Sequence, residues 1–314
     1  MMQKKNLMPN MKSSRVLLAV GLFAVAGTAH PLSIQFNYDY DGGFFSGLNE
    51  SRKGVLTAAA AYFENRISDN LLAITSGGGN NFTARFDRPD NDTEVLIQNY
   101  SIAANTIEIF VGARDLGSST LGQGGPGSYS INGTPSYFNS TTRRGQGTVS
   151  GPLATDFATW GGVITFDSNS NWYFDPDTTT SESFSGFDLF SVALHELGHV
   201  LGYGTSASWD NQISGSSFTG ANSIGVYGGN VPLFDDAHWQ NALTSTINGV
   251  GTQEVAMDPT ISAGTRKIFT DLDNAGLADI GWELTAVPVP AALYLFGTGM
   301  LALFGFSRRK SSGL

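Results

Sequence analysis

Two histidines and a glutamate lie close together in the second half of the chain, and their types and spacing suit metal chemistry. His195 and His199 are four residues apart, and Glu196 directly follows the first of them. On an α-helix this spacing places both imidazoles on one face, where they can bind the same metal ion. The Glu196 carboxylate can then reach a water molecule beside the metal without being a ligand. We therefore predict two metal ligands and one general base.

The sequence around these residues predicts the helix that must carry them. Asp188 is a favourable N-cap residue, and Gly202 is placed to end the helix after Leu201. Apolar residues recur at helical spacing at Phe190, Leu194, Leu197 and Leu201. This stripe lies roughly 150° around the helix from the two histidines. We predict a helix over Asp188–Leu201 that buries its apolar side and presents the imidazoles to a cleft.

A catalytic zinc ion usually takes three protein ligands, so a third ligand is expected. The sequence contains no cysteine, and of its four histidines His30 lies at the predicted leader boundary. His238 is then the histidine that remains beside His195 and His199. Asp210 is the alternative, since an aspartate replaces the third histidine in some members of the peptidase family that this motif resembles. The predicted ligands are the two motif histidines and His238, with Asp210 left open as a replacement for His238.

The run from His195 to Gly202 resembles the signature of the metzincin zinc peptidases. In that family the glycine lets the chain turn toward a third histidine three residues later, but Thr205 stands at that position here. An insertion before the third histidine is typical of the leishmanolysin-like branch, and the residues before His238 resemble its bacterial members. The resemblance implies an exported zinc endopeptidase, with zinc as the cofactor. It also implies that Glu196 assists attack by a zinc-bound water.

The same resemblance implies a fold of the α+β class. It is a metzincin-like catalytic domain with a mixed twisted sheet, an active-site helix and a mostly irregular C-terminal lobe. Met257 resembles the methionine of a tight turn beneath the metal, and Leu272–Trp282 resembles the closing helix of such domains. The segment Gly162–Phe166 resembles the edge strand of the cleft, with which an extended peptide can pair.

Hydrophobic periodicity predicts the other elements. Apolar residues at helical spacing indicate a helix within Asn49–Asp69. Alternating and β-branched residues predict strands at Phe82–Phe86, Thr93–Gln98 and Thr106–Val111. A stretch rich in Gly, Ser and Thr predicts a loop over 114–151. We expect one domain over 31–285, and the order of elements argues against a regular βαβ array.

Two clusters of oxygen-bearing side chains are secondary candidates for a cation site. Asp167–Asn171 alternates oxygen ligands as a calcium loop does, but Trp172 stands where such a loop needs glycine. A turn is the simpler interpretation of that segment. Asp235 and Asp236 can bind calcium or orient His238, and solvated loop acids are the simpler interpretation. Calcium is therefore a secondary expectation beside zinc.

The two ends of the chain differ in kind from its middle. Residues 1–29 combine a basic start, a short apolar centre and small residues, which predicts a signal peptide. Residues 287–310 resemble the PEP-CTERM sorting signals of Gram-negative bacteria, with a Val-Pro-Val-Pro motif, an apolar run over 291–306 and a basic tail. The resemblance implies an exported or cell-surface protein, a sorting peptidase as partner and transient membrane contact through a transmembrane helix at 291–306. A plain C-terminal membrane anchor is the alternative.

Charge narrows the classes of partner. Seven of the 17 basic residues lie in the two ends, which leaves 10 against 27 acids and a net charge near −17. Such a body repels nucleic acid, and a protein or peptide substrate is predicted, with its binding residues unassigned. Two rival functions stay open. One is a catalytically degenerate surface protein of the same fold that binds protein or polysaccharide, and the other is a structural envelope protein whose histidines bind no metal.

Overall fold

The computed structural model describes residues 32–117, 119–179 and 182–285. The predicted signal peptide at 1–29 and the predicted sorting segment at 287–310 lie outside these ranges. The helices are α1 (Lys53–Glu64), α2 (Pro135–Arg143), α3 (Leu189–Val200), α4 (Ala207–Asp210), α5 (Ala221–Tyr227) and α6 (Asp271–Asp279). The strands are β1 (Ser33–Asn37), β2 (Asn81–Asp87), β3 (Glu94–Ile97), β4 (Thr106–Arg114), β5 (Gly122–Pro126), β6 (Ser128–Asn132), β7 (Gly161–Asp167), β8 (Trp172–Tyr173), β9 (Phe187–Asp188), β10 (Ile213–Ser214), β11 (Ser217–Phe218), β12 (Val231–Pro232), β13 (Thr244–Ile247) and β14 (Val250–Glu254).

The prediction of a transmembrane helix is wrong. Within the described ranges, no helix combines the length and the apolar character that crossing a bilayer requires. The helices α1 and α3 have 12 residues each, whereas a membrane span takes about 20. The segment 291–306, on which the prediction rested, lies outside the described residues.

The main sheet has the strand order β1-β4-β7-β5. The strands β1, β4 and β7 run parallel to one another, and β5 pairs with β7 in the antiparallel direction. The sheet is therefore mixed, and with its helices it confirms the predicted α+β class. The strands predicted from periodicity are present as β2, β3 and β4, and the predicted strand at Gly162–Phe166 lies within β7. The predicted N-terminal helix is present as α1.

The central strand β4 explains how the layers are held together. Ile107, Ile109 and Val111 belong to a buried cluster that also contains the apolar residues of α1 and α3. Phe110 faces the other way and stacks on Phe86 of β2, with the ring centroids 4.1 Å apart. Because successive side chains of a strand point to opposite faces, β4 is apolar on both sides. The sheet therefore lies between the helices and the small sheet β3-β2-β6.

The prediction of a loop over residues 114–151 is wrong, because this stretch contains β5, β6 and α2. The sequence of β5 is Gly-Gln-Gly-Gly-Pro, which has low strand propensity, so its conformation depends on its pairing with β7. Helix α2 did carry a start signal that the prediction missed. The Thr134 side chain caps it by accepting a hydrogen bond from the Tyr137 N–H at 3.2 Å, and Pro135 is its first residue.

The interpretation of Gly162–Phe166 as an edge strand is also wrong. These residues lie within β7, which is paired with β4 on one side and with β5 on the other. The edge of the sheet is β5, which lies beyond β7 and next to α3. Because an edge must be free on one side to accept another strand, a peptide can add only to β5 on this side of the sheet.

The C-terminal lobe after α3 consists of short elements, as predicted. The chain between Gly202 and His238 is held by an aromatic cluster. Trp209 stacks on Phe218 with the ring centroids 4.1 Å apart, and both rings contact Trp239. Each of these three side chains is fully buried. Burial of such large side chains supplies the packing that a long insertion needs.

Candidate metal centre

Helix α3 is fixed at both ends. The Asp188 carboxylate caps its start by accepting hydrogen bonds from the backbone N–H of Ser191 at 3.2 Å and from its hydroxyl at 2.6 Å. The Arg266 guanidinium donates to both oxygens of Asp188 at 2.9 Å. Gly202, just past the end of the helix, has a φ of 100°, which glycine adopts without strain. The predicted helix boundaries are confirmed, and the helix is a rigid support for its polar face.

Three histidine side chains meet at one point beside this helix. The Nε2 atom of His199 lies 3.1 Å from Nε2 of His195 and 3.1 Å from Nε2 of His238. The ligand nitrogens of the three residues all lie within 4.8 Å of one another. Ligand nitrogens that share a tetrahedral zinc ion are about 3.3 Å apart, since each Zn–N bond is near 2.0–2.1 Å. The structure thus brings together the three predicted histidines, whereas Asp210 is exposed on α4 and outside the group.

The remaining ring nitrogens determine which tautomer each imidazole adopts. Nδ1 of His195 faces the carbonyl oxygen of Ala256 at 2.8 Å, and Nδ1 of His199 faces that of Tyr203 at 2.8 Å. Nδ1 of His238 faces the Asp235 carboxylate at 2.9 Å.

A carbonyl or carboxylate oxygen can only accept a hydrogen bond, so each Nδ1 carries the proton and donates it. Each Nε2 then carries a lone pair directed at the shared point. Three lone pairs this close repel one another unless a cation lies between them, so the donor set fits a zinc ion.

The protonation state of the two helix histidines also suits metal binding. Burial lowers the pKa of His199 to about 4, and the neighbouring His238 contributes to this shift. Burial likewise lowers the pKa of His195 well below its usual range. Both imidazoles are therefore neutral at pH 7, the form that coordinates a metal.

Glu196 is buried at the same cleft. Burial raises the pKa of its carboxyl to about 8, and the nearby backbone N–H of Gly124 opposes that rise. A cation held by the three histidines would lower this pKa, because positive charge favours the carboxylate. The cleft has a volume of about 770 Å³ and is lined by the three histidines, Glu196 and residues 119–124. Glu196 thus lies where it can exchange a proton with a molecule in the cleft.

Met257 lies directly beneath α3. It is fully buried, and a Cβ atom added to Gly198 would lie 2.7 Å from its sulfur. The backbone N–H groups of Ala256 and Met257 donate to the buried carboxylate of Asp273 on α6 at 2.9 and 3.1 Å. Since the Ala256 carbonyl holds His195, Asp273 fixes the turn that orients this imidazole. Nothing in the sequence pattern had marked Asp273 for this role.

The far wall of the cleft contains a buried ion pair that the sequence did not indicate. The Lys267 ammonium donates to Asp258 at 2.8 Å, to Glu254 at 2.9 Å and to the carbonyl oxygen of Thr260 at 2.7 Å. An ammonium has three N–H donors, and these contacts use them. The wall therefore offers no free positive charge to a ligand.

The two secondary cation candidates have other contacts. The Asp167 carboxylate accepts hydrogen bonds from the Leu116 N–H at 3.0 Å and from the Ser170 hydroxyl at 2.6 Å, which supports a turn and leaves calcium without support. Asp235 binds His238, as described above. Its neighbour Asp236 uses its backbone carbonyl to accept a hydrogen bond from Trp209 Nε1 at 2.7 Å.

Comparison with known proteins agrees with this chemistry. A family model described as Matrixin matches residues 138–213. The chain is 46% identical over 57 residues to Metalloendoproteinase 1 of Glycine max, a stretch that covers 18% of this chain and 19% of that protein. The chain thus spans about a fifth of the curated relative it matches. No solved structure gives a significant match.

These matches support a metzincin-type metalloprotease. The Matrixin match contains α3 with His195, Glu196 and His199 and ends before His238. It therefore does not cover the third histidine, and the leishmanolysin-like branch stays a prediction. The predicted location of the protein stays a prediction as well.

Proposed function

We propose that this chain is an exported zinc endopeptidase in which His195, His199 and His238 hold one zinc ion and Glu196 is the general base. The observation that carries the proposal is the convergence of three Nε2 atoms beside a buried carboxyl in an open cleft. Nε2 of His199 lies 3.1 Å from Nε2 of each of the other two histidines. The metalloprotease matches point to peptides or proteins as the substrate class.

The chain's own residues divide the catalytic work among them. When bound, zinc supplies Lewis acidity toward a carbonyl oxygen and toward water. The Glu196 carboxylate takes a proton from the attacking water and passes it to the leaving amine. Its burial removes competing hydrogen bonds from bulk water, which strengthens this proton transfer.

The substrate backbone pairs with β5 as an added antiparallel strand. Leu121 O accepts from Asp167 N, and Gly127 N donates to Gly161 O. Hydrogen-bonded and free pairs alternate in an antiparallel ladder. Gly122, Gly124 and Pro126 therefore turn their backbone polar groups away from β7.

The long spacing between the motif and His238 supports the proposal that the chain belongs to the leishmanolysin-like branch. Thr205, which stands at the compact spacing, uses its hydroxyl to donate to the His199 carbonyl oxygen at 2.8 Å. The insertion that follows has its own aromatic core and brings His238 back to the helix histidines. This matches the long insertion that the resemblance implies for that branch.

Export and sorting form the second half of the proposal and rest on the sequence of the two ends. Deleting residues Val287–Leu314 should release the catalytic domain from cells in soluble form, because a sorting segment contributes no catalytic group. Fractionation and peptidase assays of both forms measure this. A deleted form that stays with the cells, or that has lower specific activity, would contradict the sorting role.

The decisive experiment measures zinc content and cleavage of a peptide library, with and without a chelator. Glu196→Ala should abolish cleavage while zinc stoichiometry stays near wild type, because its carboxylate acts on water and does not bind the metal. Glu94→Ala, which removes an exposed carboxylate on β3, is the matched control and should keep both. Zinc binding without cleavage in the wild type would indicate the degenerate binding protein, and no zinc binding would indicate the structural envelope protein.

A further inference from the structure

The edge strand β5 lies unusually close to Glu196. A Cβ atom added to Gly122 would lie 2.6 Å from Oε1, 2.9 Å from Cγ and 3.0 Å from Cδ of Glu196. A Cβ atom added to Gly124 would lie 2.6 Å from the backbone oxygen and 2.8 Å from Cβ of Glu196. Real Cβ atoms essentially never approach other atoms closer than 3.0 Å. Any side chain at either position therefore requires Glu196 or the strand itself to move.

The backbone conformation does not require glycine at these positions. Neither Gly122 nor Gly124 is among the glycines with a positive φ, so an alanine can adopt both conformations. Glycine is needed at Gly122 and Gly124 because Glu196 occupies the space that a side chain would take. The next glycine of the strand, Gly125, has nothing within 4 Å of its added Cβ atom.

The same strand carries the free edge of the sheet. Gly122 and Gly124 turn their N–H and carbonyl groups away from β7. The side-chain positions of both glycines face Glu196. An incoming peptide therefore finds the polar groups of a strand that packs directly on Glu196.

We propose that Gly122 is a positioning residue for Glu196. The absence of a side chain at Gly122 leaves room for the Glu196 carboxylate, and the absence of one at Gly124 lets the strand approach the backbone of Glu196. The strand that binds the substrate and the residue that moves the proton are thus one packed unit. The role of Glu196 as the base rests on the proposed function, whereas the packing relation does not.

The packing relation is tested by a double-mutant cycle on thermal unfolding of the metal-free protein. Gly122→Ala should lower the Tm by about 3 °C or more, because the added methyl group overfills the contact. In a Glu196→Ala background the same change should leave the Tm unchanged, because all three clashing atoms are then absent. Gly125→Ala should change the Tm in neither background. A drop of equal size in both backgrounds would overturn the proposal.

Gly124→Ala supplies an internal contrast within the same strand. Its clashes are with the backbone and Cβ of Glu196, which alanine at 196 retains. Its Tm loss should therefore persist in the Glu196→Ala background. A loss that disappears there, as for Gly122→Ala, would contradict the geometry.

The positioning role is tested by kinetics of the zinc-loaded protein. Gly122→Ala should lower kcat by about 10-fold or more with KM and zinc stoichiometry unchanged, because only the proton transfer is disturbed. Glu94→Ala, the exposed control on β3, should keep wild-type kcat. An unchanged kcat in Gly122→Ala overturns the positioning role. If the zinc-loaded wild type cleaves no peptide, the proposed function fails, and the Tm cycle still decides the packing relation.

Discussion

The metal centre is built from two halves that are supported in different ways. His195 and His199 lie on α3, and their Nδ1 atoms donate to neutral backbone carbonyls of Ala256 and Tyr203. His238 lies on a loop, and its Nδ1 atom donates to the Asp235 carboxylate, whose side chain is 48% exposed. The core of the protein therefore positions the first two ligands, and one charged surface contact orients the third.

The two kinds of support have different effects on the ligands. The backbone contacts fix the geometry of the helix histidines before metal binds, and the carboxylate contact changes how strongly His238 donates to a metal. Both carbonyls that hold the helix histidines belong to fixed parts of the fold, since one lies on the turn tied to Asp273 and the other just past α3. The Asp235 carboxylate carries a full charge, which makes the imidazole of His238 a stronger donor to a metal. The helix half should thus keep its geometry without zinc, whereas the loop half should depend on it.

The largest expected effect separates the roles of the two halves directly. His238→Ala should weaken zinc binding by more than about 100-fold. Loss of a residue that only hydrogen-bonds to a metal ligand costs up to about 100-fold, and loss of a ligand should cost more. The Tm of the metal-free protein should stay near wild type. His199→Ala should weaken zinc binding as severely and also lower that Tm, because its ring is buried and satisfies the Tyr203 carbonyl. Competition titration with a chromogenic chelator and thermal unfolding measure both quantities.

Asp210→Ala is the control for the third ligand and should change neither zinc affinity nor Tm. The opposite pattern, with zinc lost in Asp210→Ala and kept in His238→Ala, would move the third ligand to Asp210. A similar Tm loss in both histidine variants would remove the contrast between the halves.

An intermediate effect is expected for the charge behind His238. Asp235→Asn keeps an oxygen that can accept from Nδ1 but removes the negative charge, so zinc affinity should fall by about 10- to 100-fold. Asp236→Asn changes the net charge by the same amount one residue away and should leave the affinity within about twofold. If the two variants behave alike, only the general charge of the loop matters.

The smallest effect is expected in dynamics on removal of the metal. Chelation should increase backbone hydrogen exchange in residues 233–239, while the amides of α3 keep their protection. The apolar face of α3 is buried in the core and does not rest on the metal ligands, whereas the loop loses a bond that anchors it. Hydrogen exchange followed by mass spectrometry measures both segments in one experiment, and equal deprotection of α3 would show that the halves are not separate.

Much of the fold was predictable because its signals are local. The apolar stripe, the Asp188 cap and the Gly202 terminus of α3 all lie within one short segment, so helix and boundaries followed from the sequence. The glycine-rich β5 carries no such signal, since its conformation comes from pairing with β7 and packing on Glu196.

The candidate site shows the same division between local and distant information. The three histidines could be named from the motif spacing and from the few histidines in the chain. Their partners could not, because the contact between His195 and Ala256 joins residues 61 apart in sequence. Asp235 is an exception, since it lies three residues before His238, but a loop carboxylate there has too many other possible roles for the pattern to decide.

The proline at the end of β5 bears on self-association. An open sheet edge that accepts a peptide also accepts a strand from a second copy of the same protein, which is how many β-proteins aggregate. Pro126 has no N–H to offer, so a second strand finds N–H donors at Gly122 and Gly124 alone along β5. The strand is also short, with five residues. These groups are enough for a substrate held beside the metal centre and few for templating a growing sheet.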